Sequence, residues 1–284
     1  MIKLNGVQLT CGKWQAEILP HCGANLISLK IGDYPILRTP ESTEAYSQAP
    51  VLFGNPLLLP PNRTKDGCFF FQGTEYHLPI NERNRNNHIH GLIHTAPFQL
   101  KTATNRRAVC SLTNQGEWFP FPFEMNVSFE LDSNGLTQRI EIINIGPTSM
   151  PVLLGLHTTF CAPNIFVVPI NRRWSTDVRY IPSGRLVDLT KQEITYKTGC
   201  RPEGQVITGF YTAEGHTARI GPIHYEASPL FTQWVLFNQG GTNGLLCVEP
   251  QSGCVNGLNM PGQHILLFSG ESVEFWVRFS YDAR

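Results

Sequence analysis

The chain has 284 residues, and its 22 Lys+Arg balance 22 Asp+Glu to a formal net charge of +0. This balance excludes the basic excess of proteins that bind nucleic acid or anionic membranes. Hydrophobic residues make up 41% of the chain, so it can bury a sizeable core, and no apolar run reaches the roughly 20 residues of a membrane span. Residues Met1 to Gly6 lack a signal-peptide core, which predicts a cytoplasmic protein.

The first predicted element is a short helix after Thr39. Pro40, Glu41 and Glu44 suit the first turn of a helix, where proline and acidic residues are favoured. No other segment clearly favours a helix. The 25 Gly and 21 Pro punctuate the chain often, which is typical of many short strands joined by turns.

The first motif with possible chemistry is Asn62-Arg63. It follows a strand-like run, 56–59, and two prolines that should end the strand. The guanidinium of Arg63 offers several donors in a rigid fork, which suits the hydroxyls of a sugar. The alternative is a solvated loop arginine.

A histidine-rich segment comes next. If residues 88 to 90 are extended, His88 and His90 point to the same face, and His94 follows closely. Imidazoles at this spacing are common metal ligands, so a metal site built on these three histidines is one alternative. No Asp or Glu follows at the spacing that a cupin-like site would need.

The 8 cysteines form no Cys-x-x-Cys pair, and buried thiols are expected.

Three later segments alternate apolar and polar residues with a period of two: 127–131, 140–145 and 273–280. In the first, Val127 and Phe129 face one way and Ser128 the other. Such alternation predicts half-buried strands. With no linker or internal repeat, the chain is expected to form one all-β domain, 1–284, built as a large sandwich.

His157 and Glu249 are the remaining candidates. His157 follows the apolar run 150–155, and Glu249 closes the apolar run 245–248. A carboxyl group there would be partly desolvated, which raises its pKa toward that of a useful base. Taken singly, each residue could instead be structural: a satisfied core histidine, or a glutamate reaching solvent from a strand end.

Taken together, these motifs resemble the aldose 1-epimerase (mutarotase) family. The resemblance covers the chain in outline and implies a large antiparallel β-sandwich of the galactose mutarotase type. The matching segments are Gly23-Ala24-Asn25, Gly54-Asn55-Pro56 through Asn62-Arg63, His90-Gly91, Gly155-Leu156-His157 and Glu249-Pro250-Gln251.

The resemblance also implies roles. Glu249 would be the catalytic base that takes the proton of the anomeric hydroxyl, and His157 the acid that protonates the ring oxygen. Arg63, His90 and Asn62 would bind the substrate. Ring opening, rotation about C1–C2 and closure need no cofactor or metal, and the expected partner is a small sugar; the oligomeric state is left open.

Three departures from the family pattern stand out. The common His-Pro-Tyr-Phe run is His157-Thr158-Thr159-Phe160, and no substrate-binding aspartate appears around 206–211. Arg83 and Arg85 lie near His90 and could suit a phosphate. The sequence thus predicts a divergent sugar 1-epimerase, with a hexose-6-phosphate 1-epimerase and a non-catalytic sugar-binding protein of the same fold as alternatives. The balanced charge favours a neutral sugar.

Overall fold

The structure, a computed structural model, describes residues 6–282. The prediction about the N-terminal leader rests almost entirely on Met1 to Asn5, which lie outside these residues. Within 6–282, no helix is both long and apolar enough to cross a membrane. All eight cysteines are free thiols; six are buried, as the sequence predicted, whereas Cys68 and Cys161 are half-buried.

Strands dominate the described chain. In chain order they are β1 (Val7–Cys11), β2 (Trp14–Leu19), β3 (Asn25–Ile31), β4 (Tyr34–Pro35), β5 (Leu57–Leu58), β6 (Arg63–Lys65), β7 (Cys68–Phe71), β8 (Thr74–His77), β9 (Asn87–Ile89), β10 (Gln99–Ala103), β11 (Arg107–Asn114), β12 (Phe123–Asp132), β13 (Gly135–Asn144), β14 (Met150–Val152), β15 (Gly155–Leu156), β16 (Thr159–Cys161), β17 (Phe166–Val167), β18 (Ile170–Thr176), β19 (Pro182–Val187), β20 (Thr208–Ala213), β21 (Thr217–Ile220), β22 (Ile223–Ala227), β23 (Gln233–Phe237), β24 (Leu245–Gln251), β25 (Ile265–Leu267) and β26 (Ser272–Tyr281). Short 3-10 helices cover Pro50–Leu52, Arg83–Arg85, Ile93–Thr95 and Gly257–Asn259.

Two large antiparallel sheets form the body of the fold. The first has the order β10-β11-β12-β13-β26-β22-β21-β17, and the second the order β19-β18-β20-β23-β24-β15-β5, with β16 paired to β24. A four-stranded sheet, β1-β2-β3-β4, and three two-stranded sheets complete the described chain. This is the large antiparallel β-sandwich that the sequence predicted.

One continuous core lies between the two large sheets. Aromatic side chains cross it: the ring centroid of Phe160 on β16 lies 5.3 Å from that of Tyr225 on β22 and 6.1 Å from that of Phe279 on β26. Trp234 on β23 lies 6.2 Å from Tyr225. Each such ring removes a large apolar area from water, so these contacts fix the two sheets face to face.

The predicted strands are confirmed. On β12, Val127 and Phe129 are buried while Ser128 is half-buried, because successive side chains point to opposite faces of the sheet. Residues 140–144 of the second segment lie in β13, which ends one residue before the predicted segment does, and 273–280 lie in β26; the two strands pair with each other.

Two helices of more than one turn are described. The helix expected after Thr39 is α1 (Thr43–Gln48), and its N-terminus is set by Ser42, whose hydroxyl accepts the N–H of Ala45 at 3.1 Å. The prediction placed the start a few residues early. The second helix, α2 (Lys191–Thr198), was missed, although Thr190 and Glu193 form a capping box, the Thr-x-x-Glu pattern that marks a helix start.

Candidate active site

A cavity of about 700 Å³ opens on one face of the second sheet. Its floor is a row of residues from neighbouring strands: Phe210 on β20 lies opposite Val235 on β23, and Val235 lies opposite Glu249 on β24. A second cavity of about 570 Å³, beside Arg201, contains none of the predicted site residues. All five predicted site residues line the first cavity: Asn62, Arg63, His90, His157 and Glu249.

Glu249 lies inside a strand and not at its end, which corrects the sequence interpretation. Strand β24 continues through Pro250 to Gln251, and every residue in it is buried. The side chain of Glu249 is 2% exposed, and Gln251 Nε2 donates to its Oε2 at 3.1 Å. Burial raises the pKa of Glu249 to about 8, against the lowering effects of that hydrogen bond and of the Arg63 charge.

His157 sits in the short connection between β15 and β16. Its N–H donates to the carbonyl of Pro56 at 3.0 Å, which fixes the backbone. A Cβ at Gly155 would lie 2.6 Å from the Cβ of Pro61, so glycine is needed where the chain before His157 passes the proline next to Asn62. The imidazole of His157 is 5% exposed, and burial lowers its pKa to about 4.

The two side chains meet at the cavity floor. Nε2 of His157 lies 3.5 Å from Oε1 of Glu249. Because burial disfavours charge on both groups, the pair holds one proton at neutral pH, with Glu249 protonated and His157 neutral. An acid and a base this close can act on two neighbouring oxygens of one bound molecule.

Arg63 reaches the cavity from the start of β6, and His90 from the position directly after its partner strand β9. Strand β6 begins at Arg63 and pairs with β9, placing Arg63 opposite Ile89, and the N–H of His90 donates to the carbonyl of Asn62 at 2.8 Å. Asn62 (φ +54°) and His90 (φ +67°) both adopt the left-handed region, which is unfavourable for residues other than glycine. Burial lowers the pKa of His90, whose ring centroid lies 5.1 Å from that of His157.

A carboxylate holds the guanidinium of Arg63 in place. Glu82 accepts from Nε at 2.9 Å and from Nη2 at 2.8 Å, while Nη1 donates to Oδ1 of Asn62 at 3.1 Å. Burial opposes the charge of Glu82, yet bonds from Arg63 and Asn87 hold the pKa of this carboxyl below its usual value. The ring of Tyr180 covers the guanidinium, with 4.9 Å from Cζ to the ring centroid.

The three histidines of the metal alternative do not converge. Strand β9 ends at Ile89, so the extended geometry that would align His88 with His90 is broken. His88 is fully buried and its Nδ1 lies 2.7 Å from the carbonyl of Pro79, whereas His90 and His94 line the cavity. Among residues 6–282, neither set of three ligand atoms close enough to share a metal ion includes any of these three histidines.

Several cavity residues were not predicted. Tyr180 lies over both Arg63 and Arg85, and its ring meets that of Phe210 edge to face at 6.4 Å. No sequence motif around Tyr180 indicates a site residue, because the pairing of strands distant in sequence brings Tyr180 to the cavity. Glu82 is adjacent to the arginine cluster, and that proximity was a usable signal. Among the described lining residues, Glu249 is the only carboxylate, so no aspartate takes the place of the one the family pattern includes.

The Thr158-Thr159 departure has a structural counterpart. The hydroxyl of Thr158 donates to Oδ1 of Asn55 at 2.5 Å and lies 2.6 Å from the hydroxyl of Tyr225. Asn55 in turn donates to Oε1 of Gln138 at 2.8 Å. A buried polar network therefore anchors the residue after His157, where the family pattern has a proline.

Comparison with known proteins gives a consistent result. The family described as aldose 1-epimerase matches residues 7–280. The uncharacterized protein YihR of Escherichia coli strain K12 is 29% identical over 88% of this chain and 91% of its own length. A galactose mutarotase-like protein from Clostridium acetobutylicum superposes with a TM-score of 0.87 at 25% identity, over 96% of this chain and 93% of its own. A galactose 1-epimerase from Lactobacillus acidophilus gives 0.77 at 15% identity, over 95% and 92%.

Proposed function

The chain belongs to the aldose 1-epimerase family, as the sequence motifs indicated, and from this premise we propose that it is a cofactor-free sugar 1-epimerase. It would interconvert the α and β anomers of an aldose. One observation carries the proposal: the imidazole of His157 and the carboxyl of Glu249 approach to 3.5 Å at the floor of a cavity of about 700 Å³. A cavity of this size accommodates a monosaccharide.

In the proposed reaction the pair moves protons between two oxygens of the sugar. The proton of the pair first passes from Glu249 to Nε2 of His157, 3.5 Å away. Glu249 then takes the proton of the anomeric hydroxyl while His157 gives one to the ring oxygen, and the bond between C1 and the ring oxygen breaks. Rotation about C1–C2 turns the other face of the aldehyde toward the ring oxygen. The reverse transfers close the ring and restore both groups, so protons balance over the cycle.

Arg63, His90 and Asn62 would hold the sugar. Glu82 already binds one edge of the Arg63 guanidinium. This Arg63–Glu82 pair, the arginine clamp, fixes the direction of the guanidinium before substrate arrives. Because the side chain of Arg63 is already ordered, less conformational entropy is lost when the sugar binds. Nδ1 of His90 is buried without a hydrogen-bond partner among the described residues, so a sugar hydroxyl there would satisfy it.

The preferred substrate is proposed to be a neutral aldose. Arg85 is the observation that favours a sugar phosphate as the second candidate, because it lines the cavity with its side chain 32% exposed. However, its Nη1 bonds Glu82 at 3.0 Å, so its charge is partly compensated. A phosphate usually recruits several convergent cations. Side-by-side turnover of glucose and glucose 6-phosphate decides: a higher kcat/KM for the phosphate that is lost in Arg85→Ala favours the second candidate.

Polarimetry on freshly dissolved α-glucose and α-galactose tests the activity itself. Glu249→Gln should lower kcat by about 10²–10⁴-fold, the usual loss on removing a general base, while sugar binding measured by calorimetry persists. Glu130→Gln, on the exposed face of β12, is the matched control and should leave the rate unchanged. A folded Glu249→Gln protein with a normal rate would refute the assignment, and binding without turnover in the unaltered protein would identify a non-catalytic sugar-binding protein.

A further inference from the structure

Cys247 lies directly beside the acid–base pair, although nothing in the sequence motifs singled it out. It precedes Glu249 by two residues on β24, so both side chains point to the same face of the sheet. Strand pairing places Thr159 opposite Cys247, and His157 is two residues before Thr159. As a result one ligand atom each from His157, Cys247 and Glu249 all lie within 4.8 Å of one another.

The three donors are the nitrogen, sulfur and oxygen that Zn²⁺ prefers. Zinc binds His, Cys and carboxylate at about 2.0–2.3 Å in tetrahedral geometry, which puts its ligand atoms roughly 3.3–3.8 Å apart. The 3.5 Å between His157 and Glu249 is already in that range. Side-chain rotations that move the thiol by about 1 Å complete the set, a shift well within the reach of cysteine rotamers.

Two further observations fit a cation at this point. Nδ1 of His157 is buried with no hydrogen-bond partner among residues 6–282, so no side chain besides Glu249, at Nε2, holds the imidazole. The guanidinium of Arg63 on the cavity wall forms an ion pair with Glu82 at 2.8 Å, which partly compensates its positive charge near the site. His157 and Glu249 line the cavity, so the fourth position of a tetrahedral ion would face the space that a sugar occupies.

We propose that His157, Cys247 and Glu249 form a binding site for a thiophilic divalent cation such as Zn²⁺, and that the bound ion inhibits the enzyme. On binding, the thiol proton of Cys247 and the proton that the pair shares pass to solvent, and nothing is oxidised or reduced. The ion then occupies the nitrogen and the oxygen that would move protons, so turnover stops. The inhibitory half of the proposal rests on the proposed epimerase function, whereas the binding half does not.

A second cluster on the surface sets the design of the test. On the β7–β8 hairpin, Sγ of Cys68 lies 3.0 Å from Oε1 of Glu75, and Nε2 of His77 lies 3.4 Å from the same oxygen. This exposed set could also take zinc. All binding measurements therefore use Cys68→Ser as the background, and Cys68→Ser/Cys247→Ser as its matched partner.

Cobalt reports binding without reference to activity. Co²⁺ titrated into Cys68→Ser should give a thiolate-to-cobalt charge-transfer band, which Zn²⁺ then abolishes by displacement. The band should be absent from Cys68→Ser/Cys247→Ser, with circular dichroism confirming that both proteins are folded. A Cys68→Ser protein that shows no band, or a band that survives loss of Cys247, overturns the site whether or not the protein is an epimerase.

Zinc inhibition tests the consequence. Zn²⁺ should inhibit mutarotation by the unaltered protein and by Cys68→Ser, and EDTA should restore the rate. In Cys247→Ser the inhibition constant should rise at least about tenfold, because even groups that only orient a ligand contribute 10–100-fold to affinity. Basal turnover should persist in Cys247→Ser and Cys247→Ala. Equal inhibition with and without Cys247, or inhibition that follows Cys68, overturns the proposal.

Discussion

At the scale of single residues, the site depends on where one proton sits. The pKa of His157 lies at about 4 and that of Glu249 at about 8, so between these limits the pair binds one proton in total. With the proton on His157 the pair is set to open a sugar ring, and with the proton on Glu249 it is set to close one. Burial favours the placement on Glu249, which leaves both groups neutral, and the 3.5 Å contact gives the proton a direct path to His157.

We therefore expect a bell-shaped pH profile of kcat/KM. Below about pH 4 His157 and Glu249 are both protonated and no base remains, and above about pH 8 both have lost their protons and no acid remains. Initial polarimetric rates, extrapolated to zero buffer concentration because buffers catalyse mutarotation themselves, provide the measurement. A rate that keeps rising between pH 8 and 10 would contradict the shared proton.

The same burial predicts that Glu249 costs stability. Its folded pKa of about 8 exceeds the ordinary value of 4.5, so the folded state holds a proton that the unfolded chain releases as pH rises. The stabilisation that comes from this bound proton is fully present below pH 4.5. The free energy of unfolding then falls progressively as the pH rises to about 8.

Glu249→Gln removes this titration, so the variant should gain stability over the unaltered protein as pH rises. The gain should be up to roughly 1.4 kcal/mol for each pH unit between 4.5 and 8. Urea denaturation at several pH values measures it, with Glu130→Gln as the control that should show no such trend. A constant difference from pH 4.5 to 8 would show that the carboxyl is not desolvated.

At the scale of elements, the β6–β9 pair is the device that brings Arg63 and His90 together. The sequence predicted both residues, because the Asn62-Arg63 and His90-Gly91 motifs are local. A Cβ at Gly91 would lie 2.1 Å from the carbonyl of Leu59, so glycine is needed where the two segments touch. The position of Glu82 beside Arg83 and Arg85 was a signal in the sequence, but its contact with Arg63 was not, because Arg63 lies 19 residues earlier and only the pairing of β6 with β9 brings the two together.

Glu82→Gln should weaken the arginine clamp. The guanidinium of Arg63 would lose a nearly buried carboxylate partner, since the two side chains are 14% and 9% exposed. We expect a higher KM with a smaller change in kcat, together with a stability loss of about 1–3 kcal/mol. Steady-state kinetics and urea denaturation measure both, and Glu226→Gln on the exposed side of β22 is the control. An unchanged KM would show that Arg63 does not need Glu82.

At the scale of the whole molecule, a polar bridge crosses the sandwich beside the site. Thr158 belongs to the segment that joins β15 and β16 of the second sheet, whereas Tyr225 and Gln138 belong to the first, and Asn55 links Thr158 to Gln138. The alternation of the strands predicted the sandwich, yet it could not predict this bridge. Which strands are neighbours, and in which register, is decided by packing over the whole chain.

The bridge should show strong energetic coupling between the sheets. Thr158 has one hydroxyl hydrogen and gives it to Asn55, so Tyr225 must donate to Thr158. Thr158→Val removes the Thr158 hydrogen bonds of Asn55 Oδ1 and of the Tyr225 hydroxyl in the core, and should cost about 2–4 kcal/mol of unfolding free energy. Tyr225→Phe removes only one bond and should cost about 1 kcal/mol.

The double variant decides whether these losses share one cause. In Thr158→Val/Tyr225→Phe only Asn55 Oδ1 is left without its Thr158 hydrogen bond, so the destabilisation of the double variant should fall short of the sum of the single losses by about 1–2 kcal/mol. Because Thr158 follows His157 directly, the kcat of Thr158→Val should fall as well, whereas Tyr225→Phe keeps the Asn55 bond and should retain most of its activity. Losses that add to within about 0.5 kcal/mol would mean that the hydroxyls of Thr158 and Tyr225 act independently and that their contact does not couple the two sheets.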